Sequence, residues 1–238
     1  MTGTWEFEDR DWELDDHDWS DKAWMSVTDA DLFEALLLRQ AERRSPLEVL
    51  EWGSGRSTLY FTRLLAEKGI NFRWLSLEYD RAYFRAELEP RTGELPDARV
   101  YAVDDAASAE LRLDSAAPES PRVEIVVFDK HKLLPMLRAH KEDRLADLDA
   151  YVDFPAAQNR RFDLVLVDGR KRRRCVRRAA DLLAPGGITM LHDAWRPYYH
   201  CGFDAYRSHR RIGDILWVGT QEIESHLDAL LAQTTAHR

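Results

Sequence analysis

Three side chains that can accept a proton or bind a metal ion stand directly after two apolar runs of the sequence. Asp168 follows the apolar residues 162–167, and His192 and Asp193 follow the apolar residues 188–191. Because neighbouring parallel strands end at the same edge of a sheet, we expect these three side chains to lie near one rim. Histidine, with an ordinary pKa of about 6.5, could remove a proton from an acceptor hydroxyl. Alternatively, the three residues could hold Mg²⁺ or another divalent cation that acidifies the hydroxyl, or Asp168 could cap the following turn while His192 is structural.

A glycine-rich turn follows an earlier apolar run and could hold the polar end of a ligand. The run ends near Glu51, and Gly53, Ser54 and Gly55 form the turn ahead of a helix that begins at about Ser57. The glycines let the backbone turn sharply and approach a ligand closely, and the helix N-terminus offers free amides. A tight strand-to-helix turn can also recruit glycine for its own sake. The dinucleotide-binding fingerprint needs a third glycine, and its absence from this turn argues against NAD.

Glu78 marks the end of the next apolar run, where nucleoside-binding sheets place a carboxylate. A carboxylate at this point can accept hydrogen bonds from both hydroxyls of a ribose. The alternative is an ordinary exposed acid at the end of a strand.

Four segments, in this order, resemble those of class I S-adenosylmethionine (SAM)-dependent methyltransferases. They are VLEWGSG at 49–55, Glu78, FDLVLVDG at 162–169 and LLAPGG at 182–187. The resemblance covers residues 47–219 and implies a Rossmann-like fold with SAM as the cofactor. The segment around Asp168 and the pair His192-Asp193 further resemble those of small-molecule and sugar O-methyltransferases, some of which depend on a metal ion.

The resemblance also implies roles for the cofactor-binding residues. Glu51 and the glycine turn would hold the amino-acid end of SAM, with Ser57 in place of the third glycine that is frequent in the family. Glu78 would bind the ribose, and Tyr79 would flank the adenine.

These features predict a methyltransferase that acts on a hydroxyl of a small molecule or sugar, with His192 and Asp168 or a bound metal ion assisting deprotonation. Because methyl transfer is a direct displacement at a sulfonium, no covalent nucleophile is needed. Three alternatives stay open: another use of SAM such as aminocarboxypropyl transfer, a non-catalytic nucleoside-binding module, and nucleic-acid methylation. The last rests only on residues 170–178, which hold seven basic side chains in nine positions. This basic run could equally attract an anionic acceptor, face solvent or pair with the acidic residues near the N-terminus.

Strands and helices alternate from Thr28 onward, which predicts an α/β fold with an open, doubly wound and mostly parallel sheet. We place this domain at 28–238, with its first helix capped by Thr28 and a surface insertion at about 104–160. An antiparallel edge strand is expected near the C-terminus, at 215–219.

Two segments compete for the place of the third core strand. Residues 100–103 and 123–128 both read as strands. The resemblance implies that the acid at the end of the third strand, Asp104 or Asp129, meets the adenine amine.

Residues 1–27, the acidic arm, differ in composition from the rest of the chain. Residues 6–21 contain nine acids and one base, and four of the eight tryptophans lie within or beside them. Because each indole ring is worth burying, we expect the arm to dock by its tryptophans and to fold over the acceptor side as a lid. A partly disordered acidic tail is the alternative.

The 238 residues carry 34 basic and 43 acidic side chains, for a formal net charge of −9. This charge argues against a general nucleic-acid binder, and no apolar run is long enough for a membrane span. The acidic start predicts no secretory leader. Cys175, expected in the core, and Cys201 fit a reducing cytoplasm as free thiols. The expected partners are a small-molecule acceptor that can be anionic and, in a homodimer, a second copy of the chain.

Overall fold

The computed structural model of the protein describes residues 19–114, 116, 119–130 and 145–232. Most of the acidic arm lies outside these residues. Within them, every helix is too short or too polar to cross a membrane.

Helices and strands alternate along the described chain. The strands are β1 (Leu47–Trp52), β2 (Phe72–Asp80), β3 (Ala98–Val103), β4 (Arg122–Lys130), β5 (Phe162–Val167), β6 (Leu183–Leu191), β7 (Ser208–Ile212) and β8 (Leu216–Thr220). The α-helices are α1 (Val27–Ala41), α2 (Arg56–Glu67), α3 (Arg81–Tyr83), α4 (Asp105–Glu110), α5 (Asp149–Asp153), α6 (Arg172–Leu182) and α7 (Glu224–Ala232). A π-helical turn lies at Phe84–Leu88, and 3₁₀ segments lie at Glu89–Glu94, Phe154–Gln158 and Pro197–Ala205.

The strands form one sheet in the order β3-β4-β2-β1-β5-β6-β8-β7. Neighbouring strands are parallel except around β8, which is antiparallel to both β6 and β7. From β1 the chain builds the sheet towards β3, and it then returns to add β5 on the other side of β1. A crevice therefore opens at the carboxyl ends of β1 and β5, which is where such sheets bind their ligands.

Two apolar cores cover the two faces of this sheet, because the side chains of a strand alternate between its faces. On one face Leu50 and Trp52 of β1 belong to a core with residues of α5 and α6. On the other face Leu47 and Val49 belong to a core with residues of α1, α2 and α7. The predicted doubly wound α/β fold is confirmed. Cys175 is buried in the first core, as predicted.

The third core strand is β4, because β4 pairs with β2 along its length while β3 pairs only with β4 at the sheet edge. The strand predicted at 215–219 is β8, and it is antiparallel as expected, but β7 lies outside it. The sequence of β7, SHRRI, has no apolar alternation and is only partly buried. This polarity explains why no strand is predicted there.

The start of α1 also differs from the prediction. The helix begins one residue before Thr28, and its N-cap is Ser26 rather than Thr28. The Ser26 hydroxyl accepts a hydrogen bond from the amide of Asp29 at 3.2 Å. Side-chain acceptance at this position satisfies one of the free amides of the first turn.

A buried charge network ties the amino ends of the strands together, at the opposite end of the sheet from the crevice. Arg160 Nη1 lies 2.7 Å from Glu124, and its Nη2 lies 2.8 Å from Glu48. Arg73 Nη2 lies 2.7 Å from the other oxygen of Glu48. These side chains fix β1, β2 and β4 against the residues that lead into β5.

Candidate active site

A cavity of about 460 Å³ opens over the crevice, at the carboxyl ends of β1, β2, β5 and β6. Its walls come from the glycine turn after β1, the end of β2 and the loops that follow β5 and β6. The predicted site residues that line it are Gly53, Ser54, Gly55, Ser57, Glu78, Tyr79, Asp168 and Asp193. The structure thus brings most of the predicted cofactor residues and two of the three reaction residues into one cavity.

The glycine turn touches the loop that follows β5. Gly53 has a φ of +104°, and a Cβ at this position would lie only 2.5 Å from the backbone nitrogen of Gly169. A side chain cannot be accommodated in that space, and the backbone conformation is one that L-residues rarely adopt. Gly53 therefore closes the base of the cavity between β1 and β5.

Glu51 lies beneath the turn and does not line the cavity. Its fully buried carboxyl accepts hydrogen bonds from Thr58 Oγ1 at 2.6 Å, Ser76 Oγ at 2.8 Å, Trp74 Nε1 at 2.9 Å and the Ser57 hydroxyl. Burial raises the pKa of Glu51, and these four donors oppose that rise. Glu51 therefore positions the first turn of α2 against β2, and its direct contact with a cofactor stays a prediction.

Glu78 lines the cavity with its carboxyl group almost fully buried. Burial raises the pKa of Glu78 to about 8, against hydrogen bonds that include one from the amide of Asp80 at 2.8 Å. Beside it, the hydroxyl of Tyr79 accepts a hydrogen bond from Arg170 Nε at 3.3 Å. The Tyr79 ring packs edge-on against Tyr151, with 6.1 Å between the ring centroids.

Neither candidate for the adenine amine lines the cavity as it is described. Asp129 lies near the carboxyl end of β4, but its half-exposed carboxylate pairs with Arg81 at 3.0 Å. Asp104 caps α4 by accepting a hydrogen bond from the amide of Ala107 at 2.7 Å. Asp129 is thus held in an ion pair at the surface, and its contact with the adenine amine stays a prediction.

The reaction rim, formed by Asp168, His192 and Asp193, is assembled at the ends of β5 and β6, but His192 does not reach the cavity. His192 is 5% exposed and lies behind Asp168, with its Nδ1 at 2.9 Å from Asp168 Oδ1. Burial on its own would lower the pKa of His192, but the neighbouring carboxylate of Asp168 raises that pKa above its ordinary value. Asp168 and Asp193 are the groups of the rim that line the cavity, and direct action of His192 on an acceptor stays a prediction.

Arg172, which the sequence analysis did not single out, connects the parts of the rim. Its Nη2 lies 2.9 Å from Asp168 Oδ1, and its Nη1 lies 2.9 Å from Asp193 Oδ2. The same guanidinium donates to the backbone carbonyls of Asp168 at 2.8 Å, His192 at 2.8 Å and Gly169 at 3.0 Å. Burial alone would lower the pKa of Arg172, and the two carboxylates raise it. Within the basic run this residue lines the cavity and links the loops that follow β5 and β6.

The rim residues do not fit the predicted divalent cation. A bound Mg²⁺ or Ca²⁺ needs several oxygen ligands converging at about 2.0–2.6 Å, whereas the Arg172 guanidinium occupies the position between the two carboxylates. Across the described ranges, no group of three or more His, Cys, Asp or Glu side chains is arranged to hold a metal ion. Asp168, His192 and Asp193 are thus not metal ligands in this arrangement.

Other arginines of the basic run pair with acids of the same chain. Arg174 and Arg178 form ion pairs with Asp149 and Asp153 of α5. Arg173 lies over the ring of a tyrosine in the following 3₁₀ segment, 4.7 Å from its centroid. Two arginines of the run thus pair with acids of α5, whereas the pairing expected with the acidic arm falls mostly on residues outside the described ones.

The described end of the acidic arm lies at the mouth of the cavity. Trp24 lines the cavity while it remains 66% exposed, and its ring lies 6.2 Å from that of Trp19. Arg56, at the start of α2, donates to the carbonyl of Asp21 at 3.1 Å. Arg196, which also lines the cavity, follows β6. In the sequence, this wall of the cavity is indicated only by the position of Trp24 in an acidic, tryptophan-rich segment.

No family model and no curated protein sequence matches the chain. Among solved structures, the chain is similar to a methyltransferase-like protein from Silicibacter pomeroyi, with 22% identity and a TM-score of 0.51 over 89% of this chain and 97% of that one. It is also similar to human methyltransferase-like protein 13 in complex with SAH, with 14% identity and a TM-score of 0.45 over 88% and 90% of the two chains. A probable spermidine synthase from Corynebacterium glutamicum gives 14% identity and a TM-score of 0.45 over 88% and 71%. The last two structures superpose less well, and no conclusion is drawn from them. From the strand order and the first likeness, the chain has the class I methyltransferase fold.

Proposed function

We propose that the chain is a SAM-dependent methyltransferase that methylates a hydroxyl group of a small molecule or sugar. The observation that carries the proposal is the buried carboxyl of Glu78, which faces the cavity between the glycine turn and Tyr79. An ionised carboxylate can accept about four hydrogen bonds, so Glu78 keeps acceptor capacity beyond its bond from the Asp80 amide. The two hydroxyls of a ribose match that capacity.

The other cavity residues fit the remaining parts of SAM. Tyr79 would flank the adenine, and Gly55, the N-cap of α2, would bring the free amides of the helix to the carboxylate of the amino-acid end. Gly53 leaves the close approach of backbone and ligand open. When bound, SAM supplies a methyl group on a positively charged sulfur that a nucleophile displaces directly.

Asp168 is the residue we assign to the acceptor hydroxyl, because it lines the cavity and is held from behind. The imidazole of His192 and the guanidinium of Arg172 both contact its Oδ1 at 2.9 Å. These donors fix the direction of the Asp168 carboxylate, so that it can accept the hydrogen of the hydroxyl. We attribute most of the rate acceleration to the alignment of the acceptor with the methyl group.

An anionic acceptor is part of the same proposal, and Arg196 supports it. The guanidinium of Arg196 lines the cavity and lies 3.6 Å from Asp193. Its buried Nε has no hydrogen-bond partner among the described residues, and a buried donor without a partner costs about 1–3 kcal/mol. A carboxylate or phosphate of the acceptor would pair with the charge of Arg196 where this residue lines the cavity. A cytoplasmic location is supported by the two free cysteines, and the homodimer stays a prediction.

The test is the identity of the product formed from SAM with a panel of hydroxylated and anionic small molecules. Methyl transfer releases S-adenosylhomocysteine (SAH) and a methylated acceptor, both of which mass spectrometry detects. Methylthioadenosine in place of SAH would instead establish aminocarboxypropyl transfer. Turnover that the double variant Asp168→Ala/His192→Ala leaves unchanged would contradict the catalytic assignment. SAH binding without turnover on any acceptor would favour the non-catalytic module.

A further inference from the structure

We propose that Arg172 is a resident cation that takes the place of a divalent metal ion at the reaction rim, so that Asp168 and Asp193 work without a metal. The relevance of this inference to catalysis rests on the proposed function, but its test needs neither SAM nor an acceptor. It assigns a positioning role to Arg172 and explains why the rim has the composition of a metal site without its geometry.

The guanidinium of Arg172 lies between the two carboxylates. Arg172 lies 2.9 Å from one oxygen of Asp168 and 2.9 Å from one oxygen of Asp193. A bridging divalent ion would occupy the same place, where it would be repelled by the positive charge of the arginine. Asp193 also has a left-handed φ of +58°, which aspartate adopts more readily than most residues. The backbone at this point therefore turns the carboxylate towards Arg172.

Arg172 also forms hydrogen bonds with each of its three side-chain nitrogens. Besides the two carboxylates it binds the carbonyls of Asp168 and Gly169 after β5 and that of His192 after β6. Its planar fork sets the separation of the two loops, as a metal ion does for its ligands. Lysine has one nitrogen and cannot make this set of contacts.

His192, the remaining side chain that could bind a metal, points at Asp168 and not at the space between the two carboxylates. Its Nδ1 lies against Asp168, and its Nε2 is buried with no hydrogen-bond partner in the described part of the chain. The histidine therefore supports the carboxylate from behind instead of converging on the point between Asp168 and Asp193. Two carboxylates face one permanent cation and an imidazole whose pKa is raised by Asp168.

Removal of the guanidinium should turn the rim into a cation site. Arg172→Ser leaves two carboxylates next to an emptied space, and carboxylate oxygens are donors that suit Mn²⁺. Mn²⁺ is the probe, and binding is measured by electron paramagnetic resonance and by thermal unfolding. At 100 times its dissociation constant, Mn²⁺ should raise the Tm of Arg172→Ser by about 5–10 °C. The matched control is Arg174→Ser, which removes an arginine of the same helix outside the cavity. Its Tm should not rise with Mn²⁺.

Asp193→Asn separates this site from weak binding elsewhere on an acidic chain. We expect Asp193→Asn to abolish the Mn²⁺ response of Arg172→Ser. If Arg172 had a merely structural role, its removal would create no such response. A folded Arg172→Ser protein without any Mn²⁺ response would overturn the inference. Mn²⁺ binding by the wild-type protein would also overturn the inference if Asp193→Asn abolished that binding. This comparison decides the question even where Arg172→Ser does not fold. Failure of the wild-type protein to bind SAH would refute the proposed function and leave these outcomes intact.

Discussion

Burial makes the charge of Glu78 depend on pH near neutrality. Glu78 is 4% exposed, and burial raises its pKa to about 8. Near neutral pH the unliganded protein therefore holds much of Glu78 in the protonated form. A ligand that donates two hydroxyl hydrogens favours the ionised form, so that binding and loss of a proton are linked.

The affinity for SAH should consequently rise with pH. We expect an increase of roughly tenfold per pH unit below about pH 8 and a plateau above it. The unliganded protein should behave in the opposite sense: because the folded pKa exceeds the ordinary 4.5, the contribution of Glu78 to stability is present below pH 4.5 and is lost as pH rises to about 8. Isothermal titration calorimetry at several pH values measures the first effect, and urea unfolding measures the second. Glu78→Gln should remove both, and an SAH affinity that does not change between pH 6 and 8 would be inconsistent with this account.

At His192 the relevant quantity is the pKa of a buried imidazole beside a carboxylate. Asp168→Asn removes the charge 2.9 Å away while it keeps the size of the side chain, so the pKa of His192 should fall by about one unit or more. An NMR titration of the ring nitrogens measures this value. Wild-type stability should include a contribution from His192 that is present below pH 6.5 and is lost as pH rises through the raised folded pKa. An unchanged His192 pKa in Asp168→Asn would show that the pair is not the source of the shift.

At the scale of the elements, the cavity depends on the contact between the turn after β1 and the loop after β5. Gly53→Ala places a Cβ 2.5 Å from the Gly169 nitrogen at a φ of +104°. We expect a loss of about 1–3 kcal/mol in the free energy of unfolding, together with weaker SAH binding because the turn must move. The matched control is Gly93→Ala, where a Cβ meets nothing within 4 Å and the change should stay within about 0.5 kcal/mol. Equal effects of the two substitutions in denaturant unfolding would contradict this role of Gly53.

The elements that the sequence predicts well are those whose burial is uniform. β5 is buried at each of its positions and reads as an apolar run, whereas β7 is polar and becomes a strand only because β8 offers it an edge. The position of Arg172 could not be predicted in the same way, because a basic run at a helix start does not reveal which arginine turns inwards. The glycine turn and Glu78 were predictable because both their residue types and their places at strand ends are set by local chemistry.

At the scale of the whole molecule, stability and binding belong to opposite ends of the sheet. The Arg160–Glu124 pair and its neighbours Glu48 and Arg73 lie at the amino ends of the strands, and the cavity lies at the carboxyl ends. Breaking a buried ion pair by removing one partner costs about 3–5 kcal/mol, since the other charge is left uncompensated.

Glu124→Gln should therefore destabilise the protein by about 3–5 kcal/mol and leave the SAH affinity of the folded protein unchanged. Guanidinium chloride unfolding measures the first quantity, and calorimetry at a temperature where the variant is folded measures the second. Glu110→Gln, at an exposed position, is the control for a surface acid. A loss of SAH affinity in Glu124→Gln comparable to that in Glu78→Gln would argue against the separation of the two ends.

SAH binding to the wild-type protein and to Glu78→Gln, measured by isothermal titration calorimetry at pH 8.5, tests the central claim most directly. We predict binding by the wild-type protein with one site per chain and an affinity roughly 10–100-fold lower in Glu78→Gln, as expected for the loss of hydrogen bonds to a charged carboxylate. Glu89→Gln, an exposed acid beyond the cavity, should bind SAH as the wild-type protein does. No binding by the wild-type protein at saturating SAH, or equal binding by Glu78→Gln, would contradict the assignment of this cavity to SAM.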